Sequence, residues 1–214
     1  MMNKYALLIK QNVLLVFILL AFMSSISAQV NIQALDALKG LQVGDEAPFF
    51  HLENQDEEVV YLEDKLKEGP VVLVFYRGQW CPICNRHLGR FQDSLSLISN
   101  LDASVISISP EQPEYLSAMK EKVDLDFDLL YDQGYFVASE YGLLFDPGES
   151  LRNRYDKMLN ANFEEAHQDE RGLLPIPATF IIGQDGKILW RQFDPNYKNR
   201  SSVLEIIEAL KEIN

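Results

Sequence analysis

Residues 71–88 read VVLVFYRGQWCPICNRHL and hold both cysteines of a 214-residue chain in one Cys-x-x-Cys, Cys81 to Cys84. Val71 to Tyr76 is a short β-branched and aromatic run, with Gly69-Pro70 before it and Gly78 after it, as expected of a strand buried on both faces. Such strands lie centrally in parallel sheets. Pro82 then suits the first turn of a helix, where its missing N–H has no intrahelical acceptor to lose. Ile83, Leu88, Phe91, Leu95 and Ile98 follow at helical spacing. Both thiols are thus expected in the first turn, where unpaired N–H groups and the helix dipole favour a thiolate. Cys81, nearer the N-terminus, gains most from both.

Two other uses of a cysteine pair weigh less. A bridge closing so small a loop removes little entropy from the unfolded chain, which makes it a poor staple and a good redox couple. Zinc wants about four ligands. His87 offers a third, but no second Cys-x-x-Cys or His pair exists, so no metal site is expected.

With WCPIC after an apolar strand, the chain resembles the thioredoxin superfamily. The ordered stretches GDEAPFFHL, FYRGQWCPICNRHL and LPIPATFIIGQDGKILWRQFDP, with a final helix, resemble the peroxiredoxin-like branch of the alkyl hydroperoxide reductase/thiol-specific antioxidant (AhpC/TSA) family. The resemblance runs from about Val43 to the C-terminus. It implies an α/β, thioredoxin-like fold, a central mixed β-sheet with helices on both faces.

The N-terminus has two lysines, an apolar run from Val13 to Phe22 and small residues ending at Ala28, the pattern of a secretory signal peptide. The run is shorter than the roughly 18 residues of a spanning helix, and no cysteine follows Ala28, so cleavage is expected rather than an anchor or a lipoprotein. Residues 1–28 then form the leader, 29–42 an extension and 43–214 the domain. This organisation places the mature protein outside the cytoplasm, secreted or periplasmic, with no membrane attachment after cleavage. Without the leader, 17 basic residues face 32 acidic ones, a net −15 that repels nucleic acid. An exported chain with no cysteines beyond one Cys-x-x-Cys does not use them for stability. Keeping that pair reduced requires an electron-donor thiol protein.

Elsewhere, Ile32, Leu35 and Leu38 suggest a short helix over 30–39, and apolar runs around the polar 53–58 suggest a hairpin, followed by a helix over 62–68. Strands are expected at 103–109 and 127–131 and helices at 113–123 and 135–141, an alternation that defines an α/β domain. A hairpin at 179–182 and 188–192 precedes a last amphipathic helix over 202–213. Residues 142–174 read as an insertion near the site, with the polar FEEAHQDERG as an exposed turn or helix end.

The resemblance also assigns roles. In thioredoxin-like proteins a cis proline faces the two sulfurs, which implies that role for Pro177, with the Ile176 backbone free to pair with an extended substrate. Trp80 would shield the sulfur and offer an apolar face to partners. The peroxiredoxin motif Pro-x-x-x-Thr-x-x-Cys falls on Arg77, Cys81 and Cys84, and its distant arginine on Pro177, so only the attacking cysteine matches. Arg77 either stabilises a thiolate or simply ends a strand in solvent, and His87, one turn past Cys84, either shuttles a proton or sits on a solvated face. His51 and His167 show no partner in the sequence.

Three functions follow. A disulfide oxidoreductase would attack with Cys81 and resolve with Cys84. A thiol peroxidase would attack peroxide with Cys84 and resolve with Cys81. A non-catalytic binding module would not need the intact Cys-Pro-x-Cys. The first is expected to dominate, with no cofactor beyond the dithiol and with a disulfide or peroxide as substrate, because two of the family's peroxide-holding groups are replaced.

Overall fold

All five residues of β3 (Val71–Phe75) are buried, and they divide by parity. Val72 and Val74 join Leu88, Phe91, Ile181 and Leu210 on one face of the sheet. Val71, Leu73 and Phe75 join Leu62, Ile106, Tyr141 and Phe180 on the other. A strand with an apolar residue at every position is stable only between two layers, each such side chain contributing about 1.5–3 kcal/mol on burial. The computed structural model describes residues 32, 34, 35 and 37–213; the segment 1–28 read as a leader lies outside the described residues.

The chain first forms a small hairpin, β1 (His51–Glu53) and β2 (Val59–Tyr61), and then α1 (Leu62–Glu68). After β3 come α2 (Pro82–Asp93), α3 (Leu95–Ser99), β4 (Ser104–Ser109), α4 (Pro113–Val123) and β5 (Asp128–Tyr131). A 3-10 turn leads into α5 (Phe136–Glu140), then β6 (Leu144–Phe145), α6 (Glu149–Leu159), α7 (Phe163–His167) and β7 (Leu174–Pro175). The chain closes with β8 (Ala178–Ile182), β9 (Ile188–Phe193) and α8 (Val203–Ile213). The central sheet has the order β5-β4-β3-β8-β9, with β3, β4 and β5 parallel and β8 and β9 antiparallel to their neighbours. This is the expected mixed sheet, with β3 in the middle.

Local chemistry changes several expectations. The single helix after Cys81 is two, because Ser94 leaves helical geometry (φ −116°, ψ 8°) and begins the second; Asp and Ser compete for backbone partners and favour such breaks. The expected helix over 30–39 rests partly on residues outside those described, and Ala37 N–H donates to Ala34 O (2.9 Å) in a turn. The stretch 163–172 is exposed at Gln168, Glu170 and Arg171, as expected, but residues 163–167 form a short helix that is buried on one side. Phe163, Ala166 and His167 share one buried helical face, and the acids point away from it.

The approach to β8 differs most. Leu174–Pro175 pairs with Leu144–Phe145 as a short antiparallel ladder, so the chain is already extended and needs no tight turn. There is no cis peptide among the described residues, and the expected cis bond before Pro177 is trans. Ile176 N–H donates to Leu143 O (2.8 Å), which removes it as a donor to a substrate strand.

Candidate active site

The end of β3 is built to present Cys81 at a helix start. Tyr76 N–H still pairs with Ile108 O (3.0 Å), after which the chain leaves the sheet. Gly78 turns it with φ 151°, and a Cβ there would lie 2.5 Å from both Glu111 Oε1 and Trp80 Nε1. Only glycine fits that approach. Cys81 is the N-cap of α2, its Sγ accepting from Cys84 N–H (3.3 Å), with Pro82 in the first turn. The cap position gives Cys81 the polar end of the helix and places Cys84 one turn inside it. Both thiols are free and buried, with the sulfurs 2.6 Å apart.

Two arginines address this pair. Arg77, only 4% exposed, donates from Nη2 to Cys81 Sγ (3.1 Å) and from Nη1 to Tyr155 Oη (3.1 Å). Its guanidinium lies 4.0 Å from the Tyr197 ring centroid, 5.0 Å from Trp80 and 5.3 Å from Tyr155. An arginine in an aromatic cage keeps its charge while water is excluded. Arg200 comes from the turn before α8, its Nη2 4.0 Å from Cys84 Sγ. The loop carrying it is tied down by Ser201, whose hydroxyl donates to Thr179 Oγ1 (3.2 Å) and whose carbonyl meets His87 Nε2 (3.2 Å).

The electrostatics separate the two sulfurs. The hydrogen bond from Cys84, then the charge and hydrogen bond of Arg77, hold the Cys81 thiol well below its ordinary range despite burial. Burial, then the hydrogen bond and charge of Cys81, hold Cys84 well above it. Cys81 is the thiolate and Cys84 the thiol. Beside them, Glu111 is fully buried and pushed up to about 8, burial outweighing the Gln79 N–H that Oε2 accepts (2.6 Å). A carboxylic acid that stays protonated near neutrality is thus placed next to a thiolate.

The remaining predicted residues fall into place unevenly. Arg77 belongs to the site. Trp80 shields it but offers no face to partners, since it is 3% exposed and packs in tilted contact with Tyr155 (centroids 4.8 Å apart) and Phe163 (5.6 Å). His87 is no proton shuttle: burial, then Arg200, push it down to about 4, so it stays neutral. His167 is buried against Tyr135 Oη (3.1 Å) and pushed down to about 3, also by burial. Among the described residues no cluster of His, Cys, Asp or Glu can hold a metal. Arg200, Glu111 and Tyr155 escaped sequence reasoning. The signal that could have exposed Arg200 is the Ser202-x-x-Glu205 capping box, with Ser202 N–H to Glu205 Oε2 at 2.7 Å, which fixes the helix start beside it.

A pair of buried cysteines at the mouth of a helix, on a sheet of this order, defines a thioredoxin-like fold with a thiol site at its centre. The AhpC/TSA family model matches residues 43–191, and the chain belongs to that family. It is 30% identical over 173 residues to a putative peroxiredoxin, Bcp, of Haemophilus influenzae, covering 81% of this chain and 98% of that one. With peroxiredoxin Bcp of Bacillus subtilis it shares 28% over 177 residues, or 81% and 98%. The crystal structure of the peroxidoxin BcpB from Mycobacterium tuberculosis superposes with a TM-score of 0.65 at 23% identity, over 81% of this chain and 99% of that one. The protein is therefore a thiol-dependent oxidoreductase.

Proposed function

We propose that the protein is a thiol peroxidase in which Cys81 attacks a small hydroperoxide and Cys84 resolves the product. The observation that carries this reading is the buried Cys81 thiolate held at 3.1 Å by Arg77. Burial counts against disulfide exchange with folded proteins as the main activity, because Cys81 and Cys84 are 0% and 1% exposed and the Ile176 amide is already bonded. A hydroperoxide is small enough to enter where a protein disulfide is not. The relatives named peroxiredoxins support the same choice.

The chemistry closes without a cofactor. Cys81 thiolate attacks the distal peroxide oxygen, the O–O bond breaks, and Cys81 becomes a sulfenic acid as the alkoxide or hydroxide leaves. Glu111, protonated near neutrality, supplies that oxygen with a proton. Cys84 thiol then attacks the sulfenic sulfur, forming the Cys81–Cys84 disulfide and releasing water. Two electrons from a donor thiol restore the pair. Arg77 and Arg200 are fixed cations beside the sulfurs and stand in for the threonine and arginine that the sequence lacks at Cys81 and Pro177.

The order of attack reverses the one implied by alignment to the family motif. Single-turnover oxidation by hydrogen peroxide tests it. Cys84→Ser is expected to form a sulfenic acid at about the wild-type rate and Cys81→Ser to form none. Arg77→Ala is expected to slow oxidation about 100-fold, the usual cost of one preorganised donor, and to move the pH profile upward. Oxidation retained in Cys81→Ser and lost in Cys84→Ser would assign the attack to Cys84. A protein disulfide reduced faster than any hydroperoxide would overturn the function.

A further inference from the structure

The dithiol has different neighbours on its two sides. Cys81 meets Arg77, which also holds Tyr155, while Cys84 meets Arg200, which lines a cavity of about 290 Å³ together with Ile83, Arg86, His87, Arg90 and Lys198. No carboxylate lines that cavity. Four permanent cations converge on it in a chain of net charge −13, and among the described residues none of the four forms an ion pair. Arg86 and Arg90 are also like charges four apart on one helix, an arrangement that destabilises it. Where acids outnumber bases 32 to 19, so many unneutralised cations around one hollow is the signature of a site awaiting an anion.

We propose that this cavity binds the carboxylates of a low-molecular-weight thiol, which reduces the Cys81–Cys84 disulfide by attacking Cys84. The proposal rests on the dithiol cycle described above. The incoming thiolate attacks Cys84 Sγ, the S–S bond breaks, and Cys81 leaves as the thiolate that Arg77 already stabilises. The better-stabilised thiolate is the faster leaving group. A second thiolate attacks the outer sulfur of the mixed disulfide, expelling Cys84, which takes up a proton. Two thiols become one disulfide, and two electrons have entered the protein. Placing the cations on the Cys84 side directs the reductant to the sulfur whose attack releases the better leaving group.

The test uses full-length protein oxidised with diamide rather than peroxide, so that its failure and failure of the peroxidase reading are distinguishable. Reduction is followed by thiol titration with 3-mercaptopropionate, 2-mercaptoethanol and cysteamine at matched thiolate concentrations, in low and high salt. Wild type is expected to react roughly tenfold faster with the anionic thiol than with cysteamine, the effect of one or two unit charges a few ångströms away in water, and to lose that preference in salt. Arg86→Glu/Arg90→Glu is expected to reverse the preference between the anionic thiol and cysteamine, and a circular dichroism spectrum and thermal unfolding that match wild type show that the variant is folded. Equal rates for the three thiols, or a preference surviving in the variant, would overturn the proposal. So would a reduced dithiol protein that outpaces all three and does not distinguish wild type from variant.

Discussion

Glu111 has one oxygen bonded to Gln79 N–H and the other without a protein partner, in a fully buried position. Burial raises its pKa to about 8, and it does the same to Asp132, which reaches about 7 while accepting Val137 and Ala138 N–H (2.9 and 2.8 Å). For a carboxyl raised on folding, the native state binds more protons than the unfolded one between the two pKa values. Stability is therefore full below the ordinary carboxyl range near 4.5 and falls as pH rises towards 8. Glu111→Gln keeps the acceptor for Gln79 and removes the charge. Denaturant unfolding between pH 5 and pH 9 should show the variant gaining on wild type by on the order of a few kcal/mol. Parallel curves would mean that Glu111 titrates alike in both states. Peroxide oxidation by the same variant should slow at neutral pH, since the proton for the leaving oxygen must then come from water.

The junction between β3 and α2 carries the site, and Gly78 is the position that tolerates least. Gly78→Ala puts a methyl 2.5 Å from Glu111 Oε1 and from Trp80 Nε1, at a φ that side chains avoid. A loss of roughly 2–4 kcal/mol is expected in equilibrium unfolding, with the Cys81 pH profile displaced as the cap shifts. A variant as stable as wild type would show that the turn has another conformation open to it. This junction was legible in the sequence because its signals are local: an apolar run, a glycine, a proline after the first cysteine. Pro177 was misread because the turn chemistry of a proline depends on what precedes it, and Leu174–Pro175 turned out to pair with Leu144–Phe145. Arg200 reaches Cys84, and Tyr155 reaches Arg77, from segments more than 70 residues further along the chain, and no periodicity records such a meeting. The aromatic spacing of Tyr155 reads only as one face of a helix, and its hydroxyl bond to Arg77 exists only once residues 142–174 fold over the site.

Considered entire, the chain combines a net acidic composition with a basic hollow and a buried dithiol. The N-terminal segment bears on where such a protein works. Its charged, apolar and small-residue regions in order predict export, with the mature chain beginning near Gln29. N-terminal sequencing of protein recovered outside the cytoplasm checks this. A chain still beginning at Met1 in the membrane fraction would refute it.

Trp80, one of two tryptophans, lies against the Arg77 guanidinium that pairs with the Cys81 sulfur. When that sulfur passes from anion to disulfide, a negative charge vanishes beside an indole whose excited state is sensitive to the local field. The fluorescence of Trp80 is therefore expected to change colour and yield as the sulfurs are oxidised, against the background of Trp190 on β9. A stopped-flow trace of unlabelled protein can separate oxidation, resolution and recycling as successive phases, read from a ring whose ordinary duty is packing.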